Sequence, residues 1–522
     1  MHRRHFLQST AAIGALAALP EVLHAAQRTR LFPAMDKSAP KDDWLAEAVA
    51  AARKRGAAYA EVLWRDERRA SIQLRKEEVH ALSDSSERGI VLRVFKDGAW
   101  GAAAVAASEG AAPGELASRA CAAAEALSRF SKSEFDPGTR AVAGTYRWEN
   151  EVLRNPFDVP ETEKIEFLRS LTARALKIVQ IPFAVANLFT QQTDSVLLTS
   201  RGADIRQRQV VTYPNFAVTA FHQKLRRMDN RSSSFEALAA GWEVTERNFT
   251  SDLETAMQEV LQIQTAEPVT AGTYRLVVHP SVLWDILFDT LLPHLDARRV
   301  LGLDGGRPGD RWIAPADIGH RRIGSPLLQL AADMTLPAGL ATAGWDDSGR
   351  PATRMALVED GVLRRLPADD TLGGLDAAVR FPVTRTAQWS SAAGPAMPNI
   401  VMAEGGDGVL TDLIAGVDSG LFIKGRGSIV TNPQRTLFRV KPQMAWMIRN
   451  GEIAEVVRGV EVETSVEQFW NALVAVGSGR ETMTAGELFP GRTDALWTAP
   501  FSVSAPPALF ADIPVYPAQE QQ

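Results

Sequence analysis

Cysteine is almost missing: of 522 residues, only Cys121 carries a thiol. That excludes an intramolecular disulfide, a cysteine zinc ribbon and an iron–sulfur cluster. Cys121 stands in the Ala-rich stretch Arg119-Ala120-Cys121-Ala122-Ala123, which reads as helix, and no histidine is near it in sequence. It is expected as a small buried apolar residue rather than a nucleophile. Charge of one sign is also scarce. The formal net charge is −5, and no long Lys/Arg run follows the N-terminus. Without a concentrated basic field, nucleic acid is not expected as a partner. There is no Gly-x-Ser-x-Gly elbow, no Walker-type phosphate loop and no Gly-x-Gly-x-x-Gly after a strand; the glycines of Gly302-Leu303-Asp304-Gly305-Gly306 fit none of these. The absences argue against a nucleotide enzyme.

Long apolar runs are lacking too. The one near the start, Ala11 to Leu19, is shorter than the ~20 residues a membrane-spanning helix needs. It follows Arg3-Arg4-His5-Phe6-Leu7 and precedes the small residues Ala25-Ala26. A twin-arginine start, a short apolar stretch and a small-residue end read as a signal for export of folded protein, residues 1–26. No cysteine follows to carry a lipid, so the mature chain is expected to begin near Gln27 in the periplasm without a stable membrane anchor.

What is present describes an ordinary core-forming chain: 45% hydrophobic and 23% charged residues. Length suggests roughly two to four domains. A helical pattern runs from Asp42 to Arg55, with Leu45, Val49 and Ala52 on one face and Gly56 as a cap. Short strands are expected at Ala70–Leu74, Glu78–Leu82, Gly89–Phe95 and Trp100–Ala106. Lys96-Asp97-Gly98 marks a hairpin between the last two, because Asp-Gly supplies the positive φ that tight turns need. Helices are expected from Ala112 to Ser128, Glu161 to Val179 and Ser251 to Ile263, with strands between Ala184 and Phe221. Beyond a boundary at Thr265-Ala266-Glu267-Pro268 strands dominate, with hairpin signals at Trp345–Gly349, Glu359-Asp360-Gly361 and Arg449-Asn450-Gly451-Glu452. The expected fold is α+β. An N-terminal domain of antiparallel sheet with packed helices spans 42–264, and a mostly antiparallel, curled or barrel-like β domain spans 268–510. The Pro-rich tail from Ala505 is expected to be a loosely ordered strand, with 511–522 trailing beyond the domain.

The order of several segments resembles the TldD/PmbA family, the TldD/TldE-type metalloproteases also called modulators of DNA gyrase. The N-terminal signature is Gly56-Ala57-Ala58-Tyr59-Ala60-Glu61-Val62, Arg88–Val94 and Asp97-Gly98-Ala99-Trp100-Gly101. Farther on, Trp345-Asp346-Asp347-Ser348-Gly349-Arg350-Pro351, Pro398-Asn399-Ile400, Gly420–Gly425, Ile448–Ile453 and Val457-Arg458-Gly459 follow the family's pattern. In catalytic members, the resemblance implies, a helix bears His-Glu-x-x-x-His and a C-terminal cysteine completes a zinc site, with the Glu as general base. Leu295-Asp296-Ala297-Arg298-Arg299-Val300 sets the register. Phe288 and Pro293 then fall at the two histidine positions and Asp289 at the glutamate, while Glu487–Arg492 holds no cysteine.

Neither Phe nor Pro offers a lone pair, and Pro inside a helix costs ~3 kcal/mol or more, so a break is expected near Leu292. None of the eight histidines is followed by Glu, and three protein ligands for a catalytic zinc are not in evidence. Asp285 and Asp289, four residues apart with His294 beyond, could weakly hold a hard cation; the other reading is a solvated face paired with Arg298 and Arg299. His279 and His320 read as structural and surface residues. The resemblance implies a non-catalytic, TldE/PmbA-like member with no cofactor of its own, zinc being expected only in a catalytic TldD-like partner, and unfolded peptide as substrate. An active metallopeptidase with non-standard ligands and a stand-alone periplasmic peptide-binding protein are the alternatives.

Overall fold

The computed structural model describes residues 42–107, 109–130, 132–133, 135–304, 311–372, 374–391, 394–489 and 499–518, so the expected export signal lies outside the described residues. Helix α1 (Asp42–Lys54) buries Leu45, Ala48, Val49 and Ala52, and Gly56 (φ 86°) turns the chain into the first strand. β1 (Tyr59–Arg75) and β2 (Glu78–Lys96) then run antiparallel along their whole length. Asp97 (φ 54°) and Gly98 (φ 83°) reverse the chain into β3 (Ala99–Ala106), the geometry the Asp-Gly pair foretells. β1 and β2 are far longer than the expected short strands. The run Arg65-Asp66-Glu67-Arg68-Arg69 breaks the apolar alternation, yet its charges pair on the sheet, Arg68 with Asp84 at 2.7 Å and Asp66 with Arg88 at 2.7 Å.

Helix α2 (Pro113–Leu127), β4 (Gly144–Glu149), helix α3 (Glu161–Leu176), β5 (Phe183–Thr199), β6 (Ala203–His222), β7 (Arg227–Ser232) and helix α4 (Glu243–Thr265) complete this half. The strand order is β3-β2-β1-β5-β6-β4 with β7 also on β6, and only β4 is parallel to its neighbour. One face carries Val62, Trp64, Leu74, Leu188 and Phe216 beneath the four helices, with Cys121 buried there as expected. On the opposite face Leu63, Val91, Leu197 and Ile205 pack toward Trp345 of the second half.

The second half is built on two large open sheets that share a core, with two two-stranded ribbons beside them. In one, Arg354–Glu359, Leu330–Asp333, Ile400–Met402, Phe501–Ala505 and Met483–Glu487 lie side by side. In the other, Gly272–Val278 sits between Ser419–Lys424 and Ala508–Pro517. Curling stops short of a closed barrel. Asp360-Gly361 and Asn450-Gly451 turn hairpins with both residues at positive φ. The tail corrects expectation: Ala508–Pro517 is an interior strand, bonded to Gly272–Val278 on one side and Val460–Ser465 on the other. Pro506 and Pro507 precede it, a bulge with Asp512 at φ 55° absorbs the irregularity, and Leu509, Phe510, Ile513 and Val515 are buried. Among the described residues no helix is long and apolar enough to cross a membrane.

Candidate functional site

The segment aligned to the zinc-binding helix begins cleanly. His279 caps it by accepting the Ser281 N–H at 3.1 Å, Pro280 occupies the first turn, and helix α5 (Pro280–Ile286) follows. Then the backbone widens into a π turn over Leu287–Leu291 and tightens into a 3-10 turn over Leu292–Leu295. Pro293 cannot donate to the Asp289 carbonyl four residues back; the Arg435 guanidinium donates to that oxygen instead, at 3.3 Å. Thr290 donates to the Ile286 carbonyl at 2.6 Å and accepts from the Trp470 indole at 3.2 Å, which ties down the wide turn.

The side chains at the implied ligand positions do not suit a zinc ion. Phe288 is fully buried and stacked on Phe501, ring centroids 5.5 Å apart and planes at 18°. Pro293 is buried within the 3-10 turn. The strand Met483–Glu487 leads into Leu488 and Phe489, whose ring meets Phe189 of β5 at 5.9 Å; Pro490, Gly491 and Arg492 lie outside the described residues. A benzyl ring and a pyrrolidine supply no lone pair, so the donor set does not fit.

Asp285 and His294 have different partners. Asp285 lies 3.6 Å from Arg426. His294 is 1% exposed, edge-on to Trp312 at 5.0 Å, and its Nε2 donates to the Arg435 carbonyl at 2.9 Å. A carbonyl only accepts, so Nε2 carries the proton, and burial lowers the imidazole to a pKa of about 4. Asp289 offers its carbonyl to Arg435. Among the described residues no three His, Cys, Asp or Glu side chains are grouped so as to hold a metal. His279 also stays neutral, pushed down to about 3 by burial. His320 is exposed, as expected.

Beside α5 stands a group that sequence reading missed. Arg426 follows the buried strand Ser419–Lys424 and reaches Glu236 at 2.8 Å and Asp285 and Glu487 at 3.6 Å, its guanidinium 4.8 Å over the Trp284 ring. Burial pushes the Glu236 carboxyl up, against the pull of Arg426. One cation thus joins the first half, α5 and the C-terminal strands. The only sequence hint is an Arg set between Gly425 and Gly427 directly after an apolar strand.

A second feature went unseen: a polar cleft between the open face of the first sheet and the second half. Strand register builds its floor. Arg65, Ser195 and Gln207 form one cross-strand row, Glu67, Thr193 and Gln209 the next. Gln207 accepts from the N–H of Gly344 and Trp345 at 2.9 and 3.0 Å, and Gln209 donates to the carbonyls of Leu340 and Thr342. The wall comes from the segment Trp345–Gly349, which is not the expected strand hairpin but a loop closed by a single Trp345–Pro351 bridge, in which Asp346 caps the N–H groups of Ser348 and Arg350, both at 2.9 Å. Period-two polar residues on β5 and β6 were the available signal.

Residues 271–516 match the family model described as the PmbA/TldA metallopeptidase C-terminal domain, and residues 60–124 match PmbA/TldA metallopeptidase domain 1. Together they cover more than half of the chain. A metalloprotease of Methanocaldococcus jannaschii is 21% identical over 400 residues, 74% of this chain and 82% of that protein. Of solved structures, one from Bacteroides thetaiotaomicron, bearing the name modulator of DNA gyrase, superposes with a TM-score of 0.67 at 19% identity, covering 91% of this chain and 98% of its own. TldE of Thermococcus kodakarensis gives 0.62 at 16%, covering 90% and 99%. At such identities the likeness establishes the fold.

Proposed function

The chain belongs to the PmbA/TldD metallopeptidase family, and we propose that it serves there as a non-catalytic subunit. In this reading it is exported to the periplasm by its twin-arginine signal and pairs with a homologue that keeps His-Glu-x-x-x-His and supplies the zinc. It holds unfolded peptide in extended form, through main-chain hydrogen bonds that tolerate any sequence. The observation that carries the proposal is Phe288 stacked on Phe501 at a position where the family's chemistry needs an imidazole. The reading as an active enzyme built on Asp285, Asp289 and His294 draws no support from a grouped ligand set: Asp285 faces Arg426, His294 donates to the Arg435 carbonyl, and among the described residues no three such side chains gather to hold a metal.

Co-purification tests the assembly. Isolation from the native cell with a His-Glu-x-x-x-His homologue is expected; isolation only as a homodimer would count against it. Elemental analysis and peptidase assays on the chain alone test the chemistry. Sub-stoichiometric zinc is expected, with no peptide cleavage that Asp289→Ala abolishes.

A further inference from the structure

One end of the first sheet gathers exposed apolar and basic side chains. β6 and β7 meet there in a hairpin, with Phe221 opposite Met228, His222 opposite Arg227, and Arg226 at φ 49° in the turn. β5 begins at Phe183, opposite Thr219, so the hairpin projects beyond it. The link from α3 to β5 reaches the same end, because the Phe221 N–H donates to the Gln180 carbonyl at 2.9 Å. Three apolar side chains are thereby brought outward together: Val179 is 88% exposed, Met228 67% and Leu225 60%. A single exposed apolar residue is ordinary, whereas a group of them at a projecting tip marks a contact site.

Three cations accompany them. Lys177, Lys224 and Arg226 are exposed and, among the described residues, form no ion pair. Arg227 is turned inward, donating to Asp229 at 2.9 Å and to the carbonyls of Ile263 and Gln264 at the end of α4. Opposing charges at this end are few. Glu267 follows α4, and at the neighbouring β1–β2 turn Glu77 and Glu78 are matched by Arg75 and Lys76. The tip is locally basic in a chain whose net charge is −5.

Apolar side chains among unpaired cations, on a projecting tip, suit one kind of surface. Lysine is depleted at protein–protein contacts, which also need a broad complementary patch. An anionic bilayer instead gives about fivefold in binding for each nearby cation and takes up apolar side chains at its headgroup boundary. The acidic remainder of the chain is repelled, which turns the tip toward the lipid.

We infer that the β6–β7 hairpin and the adjoining α3–β5 link dock the protein reversibly on an anionic lipid surface. Val179, Leu225 and Met228 enter the headgroup boundary, and Lys177, Lys224 and Arg226 meet the lipid phosphates. The contact is peripheral and needs no membrane-spanning helix. It is independent of the non-catalytic role proposed above, and export decides only which leaflet is met.

Flotation of the purified full chain with lipid vesicles tests the inference, one set of phosphatidylcholine alone and one of equal parts phosphatidylcholine and phosphatidylglycerol. Binding at least tenfold tighter to the anionic set is expected, and it should be lost in about 0.5 M salt, where charges are screened within a few Å. Lys224→Glu combined with Arg226→Glu should weaken it at least tenfold, and Leu225→Asp severalfold. Circular dichroism checks that these exposed substitutions leave the fold intact. Because Cys121 is buried, a Leu225→Cys variant takes an environment-sensitive fluorophore at the tip alone. A blue shift on anionic vesicles is expected there, and none at Glu149→Cys, exposed on β4 beside the other end of β6. This local signal separates the tip from the basic N-terminal residues, which every variant shares. Equal affinity for the two vesicle sets, unaltered binding of the double variant, or a shift at Glu149→Cys without one at Leu225→Cys overturns the inference. A shift produced by a polyglutamate peptide and by neither vesicle set would assign the tip to an acidic protein and overturn it too.

Discussion

His294 is wedged between the Trp312 ring and the Arg435 carbonyl, and that enclosure sets its charge. The folded chain takes up a proton here only near pH 4, whereas an unfolded histidine does so near 6.5. The neutral form is therefore favoured by folding. Its contribution is complete above pH 6.5 and declines as pH falls toward about 4; His279, lowered to about 3, adds a parallel loss extending farther down. His294→Gln should remove about half of the acid-side slope in Tm between pH 6.5 and 4, a loss otherwise worth up to about 3 kcal/mol; an unchanged slope refutes the assignment. Phe288 offers a second check. Phe288→Ala empties a stacked site and should cost about 3–5 kcal/mol in urea unfolding, whereas a ring held loosely for ligand access would cost far less. Residue identity alone told that Phe288 and Pro293 cannot ligate. It could not reveal that Asp285 faces Arg426, because 141 residues separate them and no local pattern couples them.

At the scale of elements, the broken helix is the informative case. The proline foretold a break near Leu292; the widening starts at Leu287, because the Thr290 hydroxyl and the Trp470 indole hold the turn open. Arg435→Met would leave the Asp289 carbonyl without its guanidinium and is expected to destabilise by about 1–3 kcal/mol in urea, with circular dichroism checking that the sheets persist. Helices α1 to α3 were legible to within a few residues from period and caps, and the Asp-Gly and Asn-Gly hairpins from turn chemistry. β1 and β2 were only half visible: a five-residue run of charges resembles a loop until the strand that neutralises it is known. The C-terminal strand was hidden for a related reason, since prolines that flank an interior strand read like those of a loose tail.

For the whole molecule, buried ions join the two halves. Arg426 gathers Glu236, Asp285 and Glu487, and Arg231 and Lys424 share Glu259 at 2.6 and 2.7 Å. Asp370 holds Arg140 at 2.8 Å and also Arg350; burial would raise its carboxyl, yet the two guanidiniums keep it below its ordinary value. Arg426→Met removes the guanidinium from Glu236, whose ionisation burial already disfavours, and a loss of about 3–5 kcal/mol is expected at pH 7. Since Glu236 ionises reluctantly here, the penalty should shrink at pH 5 as it protonates; a pH-independent loss would point to packing instead. The links that cross between the halves, such as Arg426 to Glu236, Lys424 to Glu259 and Arg140 to Asp370, join residues far apart in sequence, which is why the α+β class could be read in advance and the junction could not.

The strand Ala508–Pro517 is synthesised after every strand it joins, yet it lies between two of them. While the ribosome still holds it, Gly272–Val278 and Val460–Ser465 each present a row of unanswered amides to the solvent. Assembly of that half must wait for translation to pass residue 517, and a chain cut short before residue 508 would carry a permanent slot, open to any extended segment that reached it.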